Sequence, residues 1–152
     1  MPKDIVEAYT LAVKARDSAT RQAMREVIDF CENNLQCSAD QSLKRNTLLL
    51  WAYKRLAASY AKAKDFAKAY ELLCKASEIP AGFNAKVALG FNMLRAANNM
   101  SDDINAKATK VTHTAEFLKN VYDEAGDEEN YHRMLKLQNA ALRVLQQSSV
   151  KH

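Results

Sequence analysis

The sequence predicts an all-α fold of about seven antiparallel helices, and three observations carry that expectation. Apolar residues recur every three or four positions along nearly the whole chain, which is the period of one helix face. Glycine (3) and proline (2) are scarce in 152 residues, whereas an all-β fold needs turn residues at short intervals. No stretch carries a strand signal. Apolar residues make up 48% and charged residues 26%, the balance of an ordinary globular chain. A chain of this length buries roughly 70% of its unfolded surface, so neither a metal nor a disulfide staple is required. One domain over 1–147 is expected, followed by a frayed tail at 148–152.

The elements follow in order. Ile5, Tyr9 and Ala12 form the stripe of a first helix. Met24, Val27, Ile28 and Cys31 form a second, with Asp17 or Ser18 placed to cap its free N–H groups. It ends in "CENNLQC", where Asn33 or Asn34 suits the left-handed conformation that stops a helix. Ser38 and Gln41 have capping-box spacing and open a long third helix running to Lys64, with Leu49, Tyr53, Leu56 and Tyr60 on one face. Asp65 caps a fourth helix, on which Phe66, Ala69, Leu73 and Ala76 align until Pro80 and Gly82 break it. A fifth helix covers about 84–98, with Val87, Phe91 and Leu94 expected inward. Ser101 caps a sixth helix, and Asp102 and Asp103 favour its positive end. That helix runs to Ala125 and stops at Gly126, which tolerates positive φ. Asp127 opens a seventh, with Met134, Leu137, Ala141 and Val144 on one face.

Two of these hairpins share a spacing. Leu56, Tyr60 and Asp65 are matched 62 positions later by Leu118, Tyr122 and Asp127. A weaker third copy lies at Leu89 and Gly90, with Met93 in the tyrosine position. In these residues the chain resembles the tetratricopeptide repeat family, whose helix-turn-helix units are about 34 residues long. Tyr53 matches the first aromatic slot, Leu56 and Ala57 the Leu-Gly slots, and Tyr60 the second aromatic. Asp65 marks the turn, Ala69 and Ala76 fill small-residue slots, and Pro80 closes the unit. The last copy keeps Leu118, Tyr122, Gly126 and Asp127 but has Tyr131 where a small residue belongs. The resemblance implies an α–α superhelix with a concave groove. An irregular helical bundle stays open as the alternative, because the third and sixth helices read as nearly twice the family's helix length.

The function classes narrow by exclusion. The net charge is +4, from 22 basic and 18 acidic residues. These basic residues are scattered as on a solvated face, which argues against a nucleic-acid surface. Cys31, Cys37 and Cys74 contain no closely spaced pair suited to zinc and read as reduced thiols of a cytoplasmic protein. The N-terminal residues resemble neither a signal peptide nor an anchor, and no apolar run approaches the length of a membrane span. Glu129 and His132 have Glu-x-x-His spacing, but a di-iron bundle needs a second such pair and two more glutamates. They read instead as a first-turn dipole partner and a surface residue. His113 has no nucleophile beside it in sequence, and no glycine-rich phosphate loop is present. No catalytic activity, metal or cofactor is therefore expected.

What remains is a non-catalytic module that binds a peptide or helix of another protein, as the family resemblance implies. Trp51, Lys54, Arg55 and Asn120 are the candidate partner-binding residues. The family's basic clamp for a C-terminal carboxylate is incomplete: Lys54 fills its lysine slot but Ala58 stands in the asparagine slot, and Asn120 is accompanied by Glu116 where lysine is needed. The alternatives are a small secretion-type chaperone, a helical nucleic-acid binder using lysines on its long helices, and a homodimer built on a bundle without a groove.

Overall fold

The computed structural model describes residues 2–16, 19–33, 39–100 and 103–150. Among them are seven α-helices and no strand: α1 (Ile5–Lys14), α2 (Thr20–Asn33), α3 (Ala39–Lys62), α4 (Phe66–Ala76), α5 (Phe83–Asn99), α6 (Ile104–Glu124) and α7 (Glu128–Val150). The chain is all-α, as its periodicity requires. Asp17, Ser18, Asn34, Cys37, Ser38, Ser101 and Asp102, to which roles were assigned above, lie outside the described residues. Asn33 is the last residue of α2 and does not take a left-handed conformation. α7 stays helical to Val150, into the stretch read as a tail.

Aspartates set the helix starts. Asp4 accepts the Glu7 N–H at 2.8 Å, Asp65 the Lys68 N–H at 3.2 Å, Asp103 the Ala106 N–H at 2.9 Å and Asp127 the Asn130 N–H at 3.2 Å. Each satisfies one of the donors that a helix start leaves free. The two Asp-led turns are the same structure. The Asp65 N–H reaches the Tyr60 carbonyl and the Lys64 N–H the Ala61 carbonyl, both at 2.9 Å. The Asp127 N–H reaches Tyr122 at 2.9 Å and the Gly126 N–H reaches Asp123 at 3.1 Å. This paired pattern is the Schellman motif, which closes a helix through one left-handed residue. That residue is Lys64 (φ 64°) in the first turn and Gly126 (φ 72°) in the second. The weaker third copy buries Leu89 and Met93 but has no such turn, because α5 ends in extended backbone at Met100.

The chain forms two compact units, Met1–Ala81 and Gly82–His152. In the first, α1 to α4 pack on their neighbours in the chain. Met24, Val27 and Cys31 of α2 are fully buried, together with Ala52 and Leu56 of α3 and Ala69 and Ala76 of α4, each at most 3% exposed. The α2–α3 pair runs antiparallel: Arg21 donates to Ser59 Oγ at 3.0 Å and lies over the Tyr60 ring, while Glu32, one helix length away, accepts from the Tyr53 hydroxyl. In the second unit α5 packs on α6 and α6 on α7. A Cβ added to Gly90 would come within 2.3 Å of the Leu118 side chain, so α5 and α6 cross at a point that admits no side chain. Glu116 and Lys119 of α6 both reach Gln138 of α7, at 2.6 and 3.2 Å.

Two expected inward faces are corrected. Tyr9 is exposed; α1 buries Ala12 as expected and Ala8 in place of Tyr9, and the C-cap residue Ala15 is buried too. Small residues let that helix lie close to its neighbours, and the larger side chains are turned to one edge. Phe91 is likewise exposed, because the Gly90 crossing turns Leu89, Met93, Leu94, Ala96 and Ala97 inward.

The matched turns generate a reciprocal prediction. A left-handed residue other than glycine costs about 1–2 kcal/mol, part of which glycine returns through unfolded-chain entropy. Lys64→Gly is expected to raise stability by up to about 1 kcal/mol and Gly126→Ala to lower it by about 1 kcal/mol. Urea unfolding midpoints of the two variants check both signs.

Candidate functional site

The site begins with a single side chain of α3. Arg55 donates from Nη1 to the Ala12 carbonyl and from Nη2 to the Ala15 carbonyl at 2.7 Å. These carbonyls belong to the last turn of α1 and to its C-cap residue, where orphan acceptors and the negative end of the helix dipole attract a cation. The contact draws the C-terminal end of α1 against α3. The two helices run parallel, with α2 returning between them in sequence, so Tyr9 comes opposite Trp51 with ring centroids 6.4 Å apart.

Toward the N-terminal ends of both helices a groove opens. Ile5, Val6 and Tyr9 of α1 form one wall, and Leu43, Lys44, Thr47, Leu48 and Trp51 of α3 form the other, around about 700 Å³. Val6 is 68% exposed, Leu43 67%, Tyr9 58% and Trp51 37%. Single exposed apolar residues need no explanation, but a contiguous set lining one hollow marks a binding surface. The charges near it are mixed on α1, which has Asp4 and Glu7 at its start, and mainly basic on α3. α3 carries Lys44, Arg45, Lys54, Arg55 and Lys62 against one acid, Asp40.

A second hollow of about 450 Å³ lies on the other flank of α3, lined by Glu32, Arg45, Asn46, Tyr53, Lys75 and Glu78 over Cys31, Leu49, Ile79 and Pro80. The Tyr53 hydroxyl donates to Glu32, and burial, this bond and the nearby acids hold the phenol well above its ordinary value. Cys31 is fully buried. Burial pushes its thiol up to about 11, opposed by the Arg45 charge. A thiol held in that state is no nucleophile near neutral pH.

The four candidate residues have different fates. Trp51 forms part of the groove wall. Lys54 is half-buried, one turn further along the same helix. Arg55 is committed to the α1 carbonyls and stands 5.8 Å from the Trp51 ring centroid. Asn120 is an exposed residue of the second unit, beside the Glu116–Lys119 pair. The hydrogen bonds from Lys119 and Gln138 keep Glu116 ionised below the usual carboxylate range. Sequence reasoning missed Ile5, Val6 and Leu43; the signal for Ile5 and Val6 was the alanine spacing on α1, which assigns its large residues to another face, and Leu43 had none. Glu129 lies in the first turn of α7, as expected, and pairs with Arg133 at 2.9 Å; His132 is exposed, as expected. Among the described residues no cluster of His, Cys, Asp or Glu could hold a metal ion, and no helix is long and apolar enough to cross a membrane.

The buried thiol gives a pH prediction. Between its ordinary 9.0 and about 11, the unfolded chain sheds a proton that the folded chain keeps, so stability present below 9.0 is lost as pH rises. Cys31→Ala is expected to be less stable at neutral pH but to show a shallower alkaline decline, read from urea midpoints across that window.

No protein-family model, curated protein or solved structure matches this chain.

Proposed function

We propose that the chain is a non-catalytic protein–protein interaction module of tetratricopeptide-like build, which holds a segment of another protein in the groove between α1 and α3. The observation that carries this reading is the contiguous apolar lining of that groove, with Val6, Tyr9, Leu43 and Trp51 open to solvent. Aromatic and aliphatic side chains so placed gain free energy when a partner removes them from water, about 25 cal/mol per Å². The matched Asp-led turns of the α3–α4 and α6–α7 hairpins support the repeat-like build. A secretion-type chaperone is a narrower form of the same reading, and the identity of the bound protein decides it.

The test places a photo-crosslinking amino acid at Leu43 in the full-length chain, expressed in the cells that make it, with a control at exposed Lys62. The expected result is crosslinking at Leu43 to one defined segment of another protein, absent at Lys62. Trp51→Ala should weaken that partner by roughly tenfold or more, as for a central aromatic anchor. Equal, diffuse crosslinking at both positions would contradict the reading.

A further inference from the structure

The groove reading leaves the chemistry of the bound segment open, and the groove itself narrows it. Its walls are two α-helices whose own backbone groups are already hydrogen-bonded along the helix. An extended peptide lying there would bury N–H and C=O groups with nothing to pair them, at a cost of about 1–3 kcal/mol each. A helix brings its backbone bonds with it, which favours a helical occupant.

The border of the groove selects a charge. Lys44, Trp51 and Lys54 lie on one face of α3 at helical spacing. Lys44 meets Asp40 at 3.4 Å, but both side chains are more than half exposed, and such a pair is worth little. Lys54 has no ion pair among the described residues. On α1, Glu7 is about 200° round the helix from Tyr9 and about 100° from Val6, and Asp4, beside Ile5, is occupied in capping α1. Asp40 is the one carboxylate among the described residues at this border of α3.

We infer that the occupant is an acidic amphipathic helix of a partner protein, its apolar face on Leu43 and Trp51 and its carboxylates toward Lys44 and Lys54. This rests on the groove reading above. The ten residues from Lys44 to Lys54 span about 15 Å, so carboxylates about three turns apart on the partner meet both lysines. A single-stranded nucleic acid would also meet the lysines and the aromatic rings, but Ile5, Val6 and Leu43 would strip water from its phosphates without replacing it.

Three synthetic helical peptides of about five turns decide the matter. They share one apolar face and differ only in flanking residues: Glu, Gln or Lys. Binding to the full-length protein is read from the fluorescence of Trp51, the sole tryptophan, and by calorimetry. The Glu peptide is expected to bind at least about tenfold tighter than the Gln peptide at low salt, and the Lys peptide weakest of all. High salt should compress the differences. Lys44→Glu with Lys54→Glu should reverse the order of the Glu and Lys peptides while circular dichroism stays unchanged. Equal binding of the three would overturn the charge preference and leave the groove reading standing. Binding of none would overturn the groove reading too. A Trp51 blue shift that grows with protein concentration alone would assign the groove to a second copy. A thymidine oligonucleotide bound more tightly than the Glu peptide would assign it to nucleic acid. Either result would overturn the proposal.

Discussion

The placement of α1, and with it the groove, depends on one arginine from the middle of α3 that seals the end of that helix. α1 is ten residues long, a length at which an isolated helix is marginal in water. Its buried face is alanine, and a buried methyl group contributes less than about 1 kcal/mol. Charge-assisted hydrogen bonds contribute about 1.5–3 kcal/mol each, and Arg55 supplies two to the Ala12 and Ala15 carbonyls. Arg16 adds bonds from Nη1 to the Val13 and Ala15 carbonyls within the same segment, and Arg55 supplies those that reach across from α3. Toward the other end of α1 lies the groove that Ile5, Val6 and Tyr9 line opposite α3.

The same economy explains why the groove is apolar. α1 spends its small residues on packing, which leaves Val6 and Tyr9 on a second face. α3 buries Leu48, Ala52, Tyr53 and Leu56 and presents Leu43 and Trp51 on the remaining arc. A helix flanked on both sides in a row of neighbours keeps one free face, and here that face is the groove wall. Row-like packing also describes the second unit, where α6 has α5 on one side and α7 on the other. Nearest-neighbour packing of this kind is how helical repeats build stability.

Much of the fold was legible because its signals are local. Asp65 and Asp127 cap helices by reaching three residues ahead, and Gly126 closes α6 by a backbone angle that glycine adopts freely; the cap of α6, expected at Ser101, is Asp103 instead. These effects need no knowledge of the rest of the chain. The Leu56–Tyr60–Asp65 spacing likewise encodes a turn that recurs hydrogen bond for hydrogen bond after Tyr122. Lys64 was not legible, because a lysine gives no hint of a left-handed angle that the turn imposes on it. The groove was half legible. Trp51 stood out as a large aromatic on a long helix, but its partners on α1 depend on how two helices separated by α2 come together. Arg55 was recognised as notable and assigned to a partner protein, whereas it serves an internal helix end. Tyr9 and Phe91 fitted apolar stripes by period, yet Ala8 and Gly90 decided which arc faces inward, since the closest approach goes to the smallest side chains.

The most direct test of this account is amide hydrogen exchange on Arg55→Gln, followed by mass spectrometry across the whole chain. If the guanidinium fixes α1, amides of Ala8 to Lys14 exchange at least about tenfold faster in the variant, a loss of 1.4 kcal/mol or more, while α3 and α4 keep their protection. Unchanged protection of α1 would contradict the account and show that its alanine contacts hold it without the arginine.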